Sequence, residues 1–342
     1  MIKVSQYSLY QKGGRHSRSS SIVIEKQLNL LCRLKSQSWG LLVVAILTIA
    51  SSMFRHRIDE FKIFRRQQQI IEETKPFRGF ENICYAGYCG PWIEEFFMEY
   101  FLSKKVHIDR LYLPISWTNC HLKCSADNLD NLRGYMRSLD VSKKYFTVLQ
   151  IDRGLHHPAL NITLGQDLDL VIFSAGGITR GEKVKNIPIP LLKEVLSPTL
   201  QAEKTFKVSF VGSMTHPIRS ELLDMYGHMY NFSKTEYWKE IIERSTFSLC
   251  PRGFGLTSFR LYEAIQLGSI PIYVWEGDLM LPFSDILDWT LFSIIVPRND
   301  IFMLAERIEK ADTAAMSSVL KEVAGHFTYE FTSQYIFASL LV

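Results

Sequence analysis

Ser248-Leu-Cys-Pro-Arg-Gly-Phe-Gly-Leu-Thr-Ser-Phe-Arg-Leu-Tyr-Glu-Ala264 decides how this chain is read. The segment leaves a strand over Thr246 to Leu249, turns through a Gly-rich loop from Pro251 to Thr257, and enters a helix from Ser258 to Leu267 that Gly268 closes. Gly253 and Gly255 let the backbone approach a ligand closely. Thr257 or Ser258 caps the helix, whose first amides attract a phosphate. Arg252 adds a cation suited to bidentate contact. Arg260 and Glu263 share one helical face, and Glu263 is placed to accept hydrogen bonds from ribose hydroxyls. The plain alternative is a glycine turn followed by a surface ion pair, which leaves the phosphate-friendly combination unexplained. Neither a Walker loop, GxxxxGK(S/T), nor a GxGxxG dinucleotide fingerprint is present.

Outward from this segment, strands and helices alternate. Lys207 to Val211 reads as a strand followed by Gly212, and Ile218 to Tyr226 and Tyr237 to Arg244 read as helices. Ile270 to Val274 and Phe292 to Val296 are further strands, and Ile301 to Ala311 a helix. Such alternation means α/β architecture with a parallel sheet covered on both faces. Ligands bind beyond the carboxyl ends of such strands, where the loops after Val211 and Leu249 both fall. Upstream, Trp92 to Leu102 is helical, and Arg110 to Leu113, Tyr145 to Ile151 and Leu168 to Ser174 are strands. Prolines keep Asn186 to Leu191 extended. A break from Ser197-Pro198 to Lys204 separates a first lobe, 78–203, from a second, 204–342.

The run Phe247 to Pro271, then Leu281-Pro-Phe-Ser-Asp-Ile-Leu-Asp-Trp289 and Phe292-Ser-Ile-Ile-Val296, resembles the signature of exostosin-type glycosyltransferases, family 47. Val208-Ser-Phe-Val-Gly212 with Ile218-Arg219 resembles the family's strand–Gly and Ile-Arg element, and Leu111-Tyr-Leu-Pro114 is a fainter match. The resemblance implies a GT-B fold, two Rossmann-like lobes with the active site in the interlobe cleft. It implies an inverting transferase that takes sugar from a nucleoside diphosphate, usually UDP, and acts on a glycan or glycoprotein in the secretory pathway. Carried onto this chain, Gly212, Arg219, Arg252, Gly253, Ser258, Arg260 and Glu263 become donor-site residues, with Thr257 and His216 beside them. The N-terminal half matches poorly, so acceptor identity is not inherited.

Inversion is one in-line displacement in which charge grows on the departing diphosphate. A metal can neutralise that charge, or arginines and a helix N-terminus can. This chain offers Arg219, Arg252 and Arg260, so no catalytic metal and no cofactor beyond the UDP-sugar donor is expected. Asp167-Leu-Asp169 is the only Asp-x-Asp, and it precedes a strand where a metal-binding pair would follow one. The acceptor hydroxyl also needs a general base from the first lobe. Asp152, His156 and His157 follow the strand ending at Ile151 and are the candidates, against the alternative of a solvent-exposed turn. Glu94 and Glu95 compete but sit in an apparently amphipathic helix.

With 342 residues, 47% of them hydrophobic, the chain is long enough for two cored domains. A net charge of +4, with the basic residues scattered, argues against nucleic acid as a partner. Residues 1–38 read as a cytosolic tail, Trp39 to Phe54 as a transmembrane signal anchor, and 55–77 as a stem. A single-pass type II protein of the Golgi or ER with a lumenal catalytic domain is the expectation, although the basic residues after Phe54 oppose that orientation. Cys84/Cys89 and Cys120/Cys124 are spaced for lumenal disulfides, with zinc or reduced core cysteines as alternatives. Two sequons, at Asn161 and Asn231, fit a lumenal chain. A homo- or heterodimer is compatible with all of this. Rival functions are a non-catalytic scaffold of a glycosyltransferase complex and a cytosolic nucleotide-binding regulator.

Overall fold

A computed structural model describes residues 39–78, 84, 87–104, 108–157, 162–198 and 202–341. The chain divides into two compact units, Met1–Gln69 and Ile70–Val342. The described part of the first unit is helical. Helix α1 runs without a break over Trp39–Glu73, so the expected span and stem form one continuous helix. Its apolar first turns give way to charged ones, and no helix among the described residues is long and apolar enough to cross a membrane.

The second unit holds two parallel sheets, in keeping with the two expected Rossmann-like lobes. After α2 (Ile93–Ser103), β1 (Leu111–Tyr112), α3 (Trp117–Lys123) and α4 (Ala126–Ser138) come β2 (Lys144–Leu149), the short antiparallel pair β3 (His156–His157) and β4 (Ile162–Thr163), β5 (Asp169–Ser174) and β6 (Val184–Pro188). The first sheet has the order β1-β2-β5-β6, all neighbours parallel. Leu170, Ile172 and Phe173 on β5 are fully buried, the unbroken apolar run that a sheet covered on both faces requires. Phe97, Phe101, Tyr112 and Phe146 interlock above it, with ring centroids 4.8–6.2 Å apart.

The second lobe follows with β7 (Phe206–Val211), α5 (Pro217–Tyr226), β8 (Asn231–Ser233), α6 (Trp238–Glu243), β9 (Ser245–Leu249), α7 (Phe259–Gln266), β10 (Ile270–Trp275), β11 (Ile294–Pro297), α8 (Leu304–Glu309), α9 (Thr313–Val323) and α10 (Tyr329–Ser339). Its sheet has the order β11-β10-β9-β7-β8, again parallel. Pro217 opens α5 at the position where a missing N–H is harmless. Gly268, at φ +70°, follows the last turn of α7 in the left-handed region. Lys204 marks the entry to this lobe. Its ammonium donates to the carbonyls of Glu243, Ser245 and Gly268 at 2.7, 3.0 and 2.8 Å, and burial pulls its pKa down to about 8.

The last helix does not stay with the lobe that precedes it. Helix α10 packs against α2 of the first lobe, with Tyr329 on Phe96 at 5.5 Å and Phe337 on Tyr100 at 6.2 Å, and Tyr329 donates to the carbonyl of Leu192.

Of the cysteines, Cys84 and Cys89 form a disulfide. Cys120 and Cys124 do not: Cys120 is buried on α3, Cys124 follows its last turn, and both are free thiols, which corrects the reading of that couple as a bridge. The sequon Asn161 lies outside the described residues, and Asn231 opens β8.

Candidate functional site

Three loops meet at the carboxyl edge of the second sheet, after β7, β9 and β10. Arg219, in the first turn of α5, ties the first two together. Its Nη1 donates to the carbonyl of Ser213 at 2.7 Å, Nε to that of Arg252 at 3.0 Å and Nη2 to that of Pro251 at 3.2 Å. Arg219 is 8% exposed, and burial, then the charge of Arg260, brings its pKa down to about 10, still cationic at neutral pH. Gly253 lets the guanidinium in, since a Cβ there would sit 3.2 Å from Nη2. Arg252 shapes its own loop by donating from Nε to the carbonyl of Gly255 and from Nη1 to that of Glu276, both at 3.0 Å. Both predicted donor-site arginines are therefore first of all loop builders. Arg219 spends three of its five N–H groups in this way.

Ser258 stands at the N-cap of α7 with extended backbone, yet its side chain makes no cap bond. Its Oγ is buried without a hydrogen-bond partner among the described residues. Thr257, also buried, turns its hydroxyl toward Tyr262. The first turn of α7 thus keeps an unused hydroxyl beside the amides of a helix N-terminus, the chemistry that receives an oxyanion.

Arg260 and Glu263 pair as their spacing predicted, at 2.9 Å, but the pair is buried rather than open. The Arg260 guanidinium lies over the Trp238 ring at 4.3 Å, and the second Glu263 oxygen meets the Lys193 ammonium at 3.4 Å. Glu263 is 7% exposed and links α7 to the end of the first lobe, so it does not stand open for ribose in this structure.

His216 caps α5 through Nδ1, and its Nε2 lies 3.5 Å from Glu276. Glu276 and Glu221 both pair with Arg298, whose hydrogen bond holds the Glu276 carboxyl below its ordinary pKa. Sequence reasoning missed Glu276 and Arg298. Each directly follows a strand, β10 or β11, so the rule applied to the first two loops would have found them.

Across the cleft, Asp152 follows β2 and meets the donor loop. A Cβ on Gly255 would lie 2.8 Å from the Asp152 Cβ and 2.9 Å from the carbonyl oxygen of Gly176, and Leu256 donates its amide to that carbonyl at 3.0 Å. Burial raises the Asp152 carboxyl above its usual range, against the opposing charges of Arg153, His121 and Arg252. His156 goes elsewhere. Its Nδ1 lies 3.4 Å from Thr163, and it lines a cavity built wholly from first-lobe residues. Of His157 only the backbone is described.

Glu94 is not on the outer face of its helix. It is 1% exposed and accepts hydrogen bonds from the amides of Thr118 and Gln150 and from the Thr118 hydroxyl at 2.8–2.9 Å. Burial, then the neighbouring Glu95, pushes its pKa up to about 8 despite those donors. Through Gln150 it holds the strand end that leads to Asp152. Asp169 opens β5 and pairs with Arg110 at 2.6 Å, at the sheet edge opposite the cleft. Among the described residues no group of three or more His, Cys, Asp or Glu gathers to hold a metal.

The family model for the exostosin GT47 domain matches residues 173–311. This stretch is thus similar to an exostosin GT47 domain. It begins in β5 and runs past α8, so it includes the donor loops, Glu276 and Arg298. Among relatives, a probable glycosyltransferase of Arabidopsis thaliana is 35% identical over 100 residues, covering 27% of this chain and 19% of the relative. A probable glucuronosyltransferase of Oryza sativa subsp. japonica is 36% identical over 135 residues, covering 35% and 31%. The chain thus spans under a third of the length of these two relatives. A solved structure of Anabaena HepE in complex with UDP aligns with TM-score 0.37 and 13% identity over 65% of this chain and 80% of that one.

Proposed function

We propose that this chain is an inverting glycosyltransferase that moves a sugar from a nucleoside diphosphate sugar, with UDP as the expected nucleotide, to a glycan or glycoprotein. The observation that carries the reading is the donor loop Pro251–Ser258. Arg219 pins it to the Gly212 loop on one side, its glycine packs on Asp152 on the other, and an unpaired buried serine hydroxyl stands at its helix end. The relatives' names, glycosyltransferase and glucuronosyltransferase, agree with it. In this reading the first turn of α7 and the remaining N–H groups of Arg219 and Arg252 receive the diphosphate, and their positive potential takes up the charge that grows as the sugar leaves, without a metal. Asp152 removes the acceptor proton, since its raised pKa moves it toward the working range of a base. The protein is further proposed to be a single-pass type II protein of the Golgi or ER held by the Trp39–Phe54 segment.

The test is UDP binding and slow donor hydrolysis by the purified full chain, run on UDP- and GDP-sugars with and without EDTA. An EDTA-insensitive release of sugar from one donor, lost in Arg219→Ala and in Arg252→Ala, is expected. Absence of nucleotide binding by a folded protein would sink the proposal, and activity abolished by EDTA would sink its metal-independent form.

A further inference from the structure

We propose that the first lobe carries a second ligand site, an anion pocket between α4 and the β3–β4 pair that takes the carboxylate or sulfate of an acidic saccharide. The saccharide half of this inference rests on the glycosyltransferase reading; the anion half stands on the residues themselves. The cavity holds about 430 Å³, and Arg133, Arg137, His156, Thr163, Gln166 and Asp167 line it. Its volume falls within the range of small-molecule sites.

Arg133 and Arg137 are one helical turn apart on α4, so two like charges face the same space. Arg133 has only a loose counter-ion, Asp130 at 4.0 Å, and its Nε is buried without a hydrogen-bond partner among the described residues. Nε itself is closed off even from the cavity, so a planar anion there would pair with the more open terminal N–H groups of the guanidinium, which have no counter-ion closer than Asp130. Asp167 contributes one negative charge to the wall, against two arginines. That mixture suits a sugar better than a bare inorganic ion. The arginines take the acid group, while Asp167, Gln166 and Thr163 offer acceptors and donors for hydroxyls. Gly165, at φ +71°, forms part of the lining, and a Cβ there would come 3.1 Å from Met136 and Leu170. No lining residue belongs to the second lobe, so the pocket is separate from the donor loops.

Binding of three labelled tetrasaccharides to the full chain tests this: one containing glucuronate, its carboxyl-reduced neutral counterpart, and a sulfated one on the neutral backbone. Inorganic sulfate serves as competitor, and UDP binding is measured alongside. The structure predicts that an acidic probe binds at least tenfold tighter than the neutral one, that added salt weakens it, and that Arg137→Glu and Arg133→Ala each reduce it tenfold or more. Arg137 is exposed, so Arg137→Glu tests charge without disturbing the fold. The glucuronate and sulfated probes tell which acid group is preferred. Equal binding of acidic and neutral probes, or unchanged binding in Arg137→Glu, overturns the pocket. Inorganic sulfate displacing the probe at the probe's own affinity overturns the saccharide assignment. Acidic-probe binding in a protein that takes no UDP upholds the pocket while removing the proposed function.

Discussion

Single atoms decide most of what happens at the interlobe contact. At Gly255 the two nearest neighbours of an added methyl are a Cβ and a backbone carbonyl, and neither can rotate away. Gly255→Ala is expected to destabilise the protein by about 1–3 kcal/mol, read as a lower Tm, and to open the donor loop away from Asp152. Gly134 on α4 has nothing within 4 Å of its Cβ position, so Gly134→Ala should raise stability by about 0.5–1 kcal/mol in the same assay. Asp152→Asn, if Asp152 is the base, should lower turnover about 10²–10⁴-fold while leaving UDP affinity unchanged; loss of both together would make it a structural residue instead. At this scale the sequence showed residue types better than partners. An arginine fork fits a phosphate and a carbonyl equally well, so Arg219 and Arg252 were found while their hydrogen bonds to loop carbonyls were not. Glu263 was found with Arg260, but Lys193, the other half of its environment, comes from the other lobe and leaves no local trace.

Elements were legible where a single period dominates. Strands β7, β9 and β10 fall within a residue of their predicted ends, because each is a short apolar run closed by glycine or a polar loop, whereas the three-residue β8 was not anticipated. Phe292 to Val296 differs most, by two residues at its start, since a 3-10 turn over Trp289–Leu291 delays the strand to Ile294. Helices α9 and α10 were not anticipated, and nothing local says that α10 belongs on the first lobe: an aromatic helix face does not name its partner. Tyr329 tests that attachment. Tyr329→Ala removes a ring packed on Phe96 and a hydrogen bond to Leu192, and should lower stability by about 3–5 kcal/mol. A change below 1 kcal/mol in chemical denaturation would mean that α10 is not held there.

Over the whole molecule, lobe closure rests on buried contacts rather than on surface charge. The ion pair Arg180–Asp278 spans the lobes at 2.6 Å but is exposed at both ends, so Arg180→Ala should change stability by less than about 1 kcal/mol. Glu94 sets a pH dependence of the opposite kind from an ordinary surface carboxylate. Its folded pKa, about 8, lies above the ordinary 4.5, so between those values the unfolded chain gives up a proton that the folded one keeps. Stability should therefore fall as pH rises from about 4.5 to 8, by up to about 1.4 kcal/mol per unit from this group alone. Glu94→Gln should flatten that slope, and should also lower stability throughout by leaving a buried donor of Thr118 or Gln150 facing its amide. Denaturation curves at several pH values, wild type against variant, distinguish the two effects.

The crossing of α10 onto α2 also has a consequence for the order in which the protein is made. Synthesis runs from the N-terminus, so α2 leaves the ribosome before its aromatic partner has been translated. Phe96 and Tyr100 must wait, uncovered, until the second lobe has emerged and delivered Tyr329 and Phe337 to them. The first lobe is therefore finished last, and its outer face is a place for a chaperone to hold during that interval.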